Sequence, residues 1–498
     1  MNHNIVSDGL EPVRRVFCLF AILAVLATTL LDTSGARAAS PIYVRPGGDD
    51  TNCNGTVNVD YSSGVAPNCA VKTIEKGITL VDAGGTVTVG AGTFTPAGGR
   101  LIINKSIIVQ ADPALTTKPK INTGYTSWTD CAIQIAAAAV VLQGFEIDNS
   151  AVDSSHLKGY IVGDYGSAKN GWTIRNNDIH NGRNAIRPVG NNVTIEQNNL
   201  HETASDLINC EYGTCYGLKV RYNWLHSHHA DLGGKPAGLT YNVSSTPGAD
   251  VEVIYNYAWA NRTFVDFQTN GGLAPANHIL IAHNTVDFWM DNLPSPLTTQ
   301  NGEVMSIAWW MPAATPQVNF WNGPNFTIRD NLFTRQKWYA VVNTDDNNFI
   351  QGQLVLQNNM FWQWYLRDSY YPGNAYPNEW PSTRGAVGWA NPYLGTGNGF
   401  VMNGDRTLDP LYLATGTTPD RYYSLNSGSP ALGTATDGLN IGAWQGNPTA
   451  VTLSSFTARS DSPMPNVFDI AGLVRIVGTG VAVAGLMRTR RGKQRNPH

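Results

Sequence analysis

A chain of 498 residues carries 33 basic and 37 acidic side chains, 14 % of the total, against 42 % hydrophobic residues. That balance excludes a self-repelling disordered polymer, and a net charge of −4 over this length argues against nucleic acid as a partner. Length alone allows two to four domains, but all-β and repeat folds exceed that prior as one unit.

Residues 1–39 read as a secretory signal. Arg14 and Arg15 precede an apolar run from Val16 to Leu31, and Ala36-Arg37-Ala38 puts small residues at the cleavage positions. The chain is therefore expected to be exported. Residues 40–100 form the N-terminal segment and first coil. There Cys53 and Cys69 flank a Gly/Asn/Ser-rich loop and are expected to pair. Lys72 to Asp82 carries Ile74, Ile78 and Val81 on one face, which predicts an amphipathic helix. Laid over the first coil, it would cover the open end of a stack. Further on, Cys210 and Cys215 bracket Glu-Tyr-Gly-Thr and are expected to close a small loop, leaving Cys131 odd and buried.

Residues 101–446 contain a repeat. A phrase of alternating apolar positions followed by Asn recurs with Asn177, Asn198, Asn223, Asn256, Asn284, Asn331 and Asn359 at one register point. Spacings of 21 to 47 residues mean a solenoid or array. The alternation has period two, which means strands. Stacked amides at one position can hydrogen-bond along the pile as a ladder.

This repeat resembles the right-handed parallel β-helix of pectate-lyase-like proteins, with three strands per coil and an Asn ladder at the second turn. The segments Tyr43 to Gly48, Cys69 to Ile74 and Gly90 to Phe94 are similar to the capping segment of exported bacterial β-helix proteins, and Ser429-Pro430-Ala431 with Asn440 to Trp444 to the segment that closes them. The resemblance implies an all-β, single-stranded right-handed parallel β-helix solenoid with an N-terminal capping helix.

Outward columns follow from the register. One reads Arg175, Glu196, Arg221, Ile254, Ala282, Arg329, Gln357, and a second Thr173, Thr194, Lys219, Glu252. These are expected to be surface ion pairs. A third reads His180, His201, His226, Trp259. Imidazoles one strand apart in a single column converge poorly for tetrahedral zinc, so stacked neutral rings are expected. Nine residues past each Asn lie Ile186, Leu207, Leu232 and Val265, with outward neighbours Arg187, Asp206, Asp231 and Asp266. This strand bears the active site in the enzymes the repeat resembles. Asp206 and Asp231 would share a column, and carboxylates that close share a proton or hold Ca²⁺. Glu211, Lys235, His228 and His229 lie in adjacent loops, and Trp309, Trp310 and Trp321 offer flat faces for sugars.

Three functions are weighed. A uronate polysaccharide lyase would use Asp206, Asp231, Glu211 and Asp266 for Ca²⁺, Lys235 or Arg187 as base, and His226, His229, Trp309 and Trp310 for substrate. A glycoside hydrolase would use two carboxylates, Asp206 or Asp231 with Asp266. The third is a non-catalytic carbohydrate-binding or adhesive surface protein. A Ser/Thr/Pro-rich linker, residues 447–466, precedes a tail, residues 467–498, whose apolar run ends in Arg488, Arg490, Arg491, Lys493 and Arg495. That pattern suits a membrane anchor or sorting tail.

Overall fold

The computed structural model describes residues 41–127, 130–149, 159–164, 168–210, 215–226, 237–242, 250–259, 263–268, 278–287, 305–310, 326–334, 339–343, 354–362, 400–406, 408–414 and 418–446. These residues form three parallel sheets of 12, 10 and 9 strands, here called A, B and C. A coil visits them in the order A, B, C: Thr173–Arg175, then Asp178–Gly182, then Asn184–Arg187, before Thr194–Glu196 starts the next turn of the solenoid. Short Val/Ile/Leu-rich strands give this outcome because each coil can bury its inward residues only by stacking on its neighbours. On sheet A the inward column Ile174, Ile195, Val220, Val253, Ile281, Ile328, Leu356 is in register and wholly buried. The fold is a parallel β-helix.

The turn from sheet A to sheet B is made by two residues. The first is left-handed in every coil of the ladder: Asn176, Gln197, Tyr222, Tyr255, His283, Asp330 and Asn358 all have φ between 52° and 59°. A non-glycine residue in that region costs about 1–2 kcal/mol, and the second residue, the ladder Asn, supplies the offset. Asn223 shows the pattern. Its main-chain N–H and Nδ2 both donate to Asn256 Oδ1 at 2.9 and 3.0 Å, and Nδ2 also donates to Ile195 O at 2.9 Å. All seven expected Asn residues take part. The last acceptor is Asp405 Oδ1, which receives Asn359 N and Nδ2 at 2.7 and 2.8 Å. The Asn pattern did not extend to it.

Near the start, a helix runs Ile74–Leu80, shorter at both ends than the expected Lys72–Asp82. It starts late because the Thr73 hydroxyl caps it, accepting from Lys76 N, and it stops where Val81 turns extended. It buries Ile74, Gly77 and Ile78, with Gly77 set against Val44 and Val87 of the first sheet A strands. Cys53–Cys69 and Cys210–Cys215 are disulfides, and Cys131 is a buried free thiol. At the other end the closing segment lays Tyr422, Tyr423 and Ala443 against Trp224, Tyr257 and Trp259 of sheet B. The signal, linker and tail lie outside the described residues, among which no helix is long and apolar enough to cross a membrane.

Candidate functional site

On sheet A the outward columns stand as read from the sequence. Arg175, Glu196, Arg221, Ile254, Ala282, Arg329 and Gln357 are in register, as are Thr173, Thr194, Lys219 and Glu252. Arg221 Nε donates to Glu196 Oε2 at 2.8 Å, a half-buried surface pair worth about 1 kcal/mol.

Sheet C departs from the reading. Ile186 pairs with Ile208, Ile208 with Leu239, and Leu239 with Val265. Counted from the ladder Asn, these positions lie 9, 10, 16 and 9 residues on. The B-to-C turn varies in length, so a constant offset fails. Leu207 is buried but out of register with Ile186, Leu232 lies outside the described residues, and the column that contains Asp266 runs through Thr240 and Asn209 instead of Asp206. Asp206 sits ahead of its strand, buried, with Oδ2 accepting from Asn209 Nδ2 at 2.6 Å and Oδ1 accepting from Ala237 N at 3.1 Å. Amide donors already fill it, so it fits a structural anchor better than a Ca²⁺ ligand paired with Asp231. Arg187 is also buried, its guanidinium 5.0 Å from the centre of the Tyr160 ring. That stacking, and a guanidinium's permanent charge, remove it as a base. Asp266 is buried on the strand Thr263–Gln268. Trp309 and Trp310 end the strand Met305–Trp310, and their backbone pairs with Phe267 and Gln268. Asp231, Glu211, Lys235 and His229 lie outside the described residues.

Sheet B is where described polar groups gather. One outward column reads Lys120, Glu146, Asp178, Asn199, Trp224, Tyr257. The next reads Asn122, Asp148, His180, His201, His226, Trp259. The expected ring stack is present: centroids are 4.9 Å apart for His180–His201, 5.1 Å for His201–His226 and 3.9 Å for His226–Trp259. The rings face one another, so their edges, with the ring nitrogens, point along and out of the sheet.

Those edges are wired across the two columns. His201 Nε2 lies 2.8 Å from Asp178 Oδ1, Asn199 Nδ2 donates to the same oxygen at 3.1 Å, and His226 Nε2 lies 2.7 Å from Asn199 Oδ1. Lys120 Nζ reaches Glu146 at 3.0 Å and Asp148 at 2.6 Å, and these bonds raise its pKa despite some burial. Burial works against the Asp178 carboxylate, but the His201 hydrogen bond and the charges of His201, His180 and Lys118 outweigh it and leave the group below its usual range. The sequence reading found the histidines and missed Glu146, Asp148 and Asp178. Asp178 was legible one residue past ladder Asn177. Glu146 and Asp148 follow Phe145, which takes the ladder place with no amide of its own.

No family model matches the chain, and no curated protein matches it in sequence. Among solved structures it is similar to pectate lyase Pel9A, at 14 % identity over 83 % of this chain and 98 % of that one, with a TM-score of 0.42. A complex of XylC with xylose matches at 10 % identity, 66 % and 69 % coverage and TM-score 0.44. A rhamnogalacturonan lyase matches at 14 %, 78 % and 97 % coverage, and 0.33. Likeness at this level bears on no activity.

Proposed function

We propose that the chain is an exported, surface-tethered β-helix protein that acts on polysaccharide, as a uronate lyase. The observation that supports this reading is the half-buried strip on sheet B. There one column runs Glu146, Asp178, Asn199 and the column beside it Asp148, His180, His201, continued by His226 on the next strand. An extended sugar chain along such a strip meets N–H edges for its hydroxyl and carboxylate oxygens, and carboxylates for its hydroxyl protons. On sheet A Arg221 is paired with Glu196, and the described sheet C groups Arg187, Asp206 and Asp266 are buried.

Elimination from a uronate needs positive charge on the sugar carboxylate and a base for the C5 proton. Lys235, two residues before the strand Ala237–Asn242 in sequence, is retained as the proposed base. Ca²⁺ is the proposed cofactor; when bound it would neutralise the uronate carboxylate. The reading also takes residues 1–39 as the export signal, residues 467–498 as the tether to a membrane, and the helix Ile74–Leu80 as the cap of the stack. One observation favours a second reaction. Glu146 and Asp178 are paired in register on neighbouring strands, and a glycoside hydrolase needs two carboxylates at one site.

The test is to incubate the secreted protein with a panel of uronate and neutral polysaccharides, with and without Ca²⁺. Ultraviolet absorbance from an unsaturated product supports the lyase. New reducing ends without that absorbance make it a hydrolase, and binding without turnover makes it a carbohydrate-binding or adhesive module.

A further inference from the structure

We propose that Asp178, His180 and His201 form a binding site for a divalent transition-metal ion of the Zn²⁺ class. The site is separate from the proposed Ca²⁺ and stands whether or not the chain is a lyase. A column of imidazoles alone is a poor ligand set, because its donors lie along one line. The parallel register changes this by bringing a carboxylate from the neighbouring column. Asp178 is directly beside Asn199 and diagonal to His201, and its Oδ1 lies 2.8 Å from His201 Nε2. One donor atom each from Asp178, His180 and His201 fall within 4.8 Å of one another, and all three residues are half-buried. In the proposed site, side-chain rotation closes that gap to the roughly 3.3 Å edge of a tetrahedral zinc site.

A second triad, Glu146, Asp148 and His180, is equally compact, but it already holds a cation. Lys120 Nζ sits 3.0 Å from Glu146 and 2.6 Å from Asp148, so an ion there has to displace an ammonium group. The Asp178 triad has no such occupant among the described residues, and it has support from behind. Asn199 Nδ2 donates to Asp178 Oδ1 at 3.1 Å, and His226 Nε2 lies 2.7 Å from Asn199 Oδ1. Groups that orient a ligand in this way are typical of metal sites. Two imidazole nitrogens and one carboxylate select zinc, cobalt, nickel or iron over calcium, which takes six to eight oxygens. Three protein ligands leave further coordination positions open to solvent or a bound molecule.

Isothermal titration of the whole protein with ZnCl₂ and, separately, with CaCl₂ tests the site. Zn²⁺ is expected to bind with loss of more than tenfold in affinity in His180→Ala, His201→Ala and Asp178→Asn. His278→Ala, remote on an exposed pair with Asp250, is expected to leave it unchanged. Co²⁺ added to the wild type is expected to give visible absorption bands of a nitrogen-ligated ion, a readout that needs no variant to fold. Zn²⁺ affinity unaltered by both histidine changes, no such Co²⁺ bands, or Ca²⁺ affinity at this site equal to that for Zn²⁺ would each overturn the proposal.

Discussion

His283 joins the closing segment to the stack through two oxygens. Its Nε2 lies 2.9 Å from Asp437 Oδ2 and its Nδ1 lies 3.0 Å from the main-chain oxygen of Asn440, with the ring buried. A carbonyl and a carboxylate only accept, so both contacts are hydrogen bonds when the imidazole carries two protons. Burial alone raises the Asp437 carboxyl. The Leu439 N–H and the His283 charge overturn that effect and hold it below the usual carboxylate range. The residue so tied is itself the left-handed member of a ladder turn, directly before Asn284.

A lowered carboxyl contributes stability that is present above its unfolded value and is lost as pH falls through the folded one. Asp437→Asn is therefore expected to flatten the acid limb of the stability curve below about pH 4. At neutral pH the cost should be no more than about 1 kcal/mol, because Asp437 is partly exposed. Melting temperature measured against pH for both proteins checks this. An unchanged acid limb would refute it.

Asp405 has the opposite sign. Burial pushes its carboxyl up to about 6, against the hydrogen bonds from Asn359 and Asn403. The native state then holds the proton more tightly than the unfolded chain, so this group loses stability as pH rises between about 4 and 6. Asp405→Asn should remove that falling segment. Denaturant midpoints at pH 4 and pH 7, compared between the two proteins, measure it.

In the ladder, Asn223→Leu strips acceptors from Asn198 N and Nδ2 and a donor from Ile195 O, all buried. Each orphaned group carries its own desolvation cost, and a total loss of about 1–3 kcal/mol is expected. By contrast, Glu196→Ala on the outer surface should cost less than about 1 kcal/mol. Urea denaturation of the two variants side by side separates a buried ladder from a surface row, and equal losses would contradict the assignment.

Gly77→Ala tests the fit of the helix. A Cβ there would come 2.8 Å from Val44 Cγ2 and 2.9 Å from Val87 Cγ1. Alanine improves helix propensity by about 1 kcal/mol, while overpacking costs about 1–3 kcal/mol. A net loss of stability is expected by thermal melting, and a gain would show that the helix rides loosely on the first strands.

Sheets A and B were legible because one turn of fixed length joins them. From ladder Asn177 the same count reaches His180, and from Asn198 and Asn223 it reaches His201 and His226. Sheet C was not, because the next turn obeys no such count: Ile208 and Leu239, ten and sixteen residues past their ladder Asn, stand in register with Ile186, and Asp206 and Leu207 fall ahead of the strand Ile208–Cys210. Asp178 escaped notice for a different reason. A lone Asp one residue past an Asn has no periodic partner of its own type, since Glu146 and Asn199 flank it. Its place beside His201 depends on two columns lying next to each other, and the columns were read one at a time.

The Asn ladder has a direction. Every amide from Asn177 to Asn359 turns its N–H₂ toward the following coil and its oxygen toward the preceding one. The side-chain dipoles therefore add, and the row behaves like the macrodipole of a helix, with its positive pole at Asn359. A carboxylate at residue 405 meets that pole, as an acidic residue does at a helix N-terminus. The two ends of the stack are for this reason unlike as places to stop. A chain cut before residue 405 would leave Asn359 with two N–H groups aimed at nothing, whereas the opposite end begins with an amide oxygen already taken by Phe145 N.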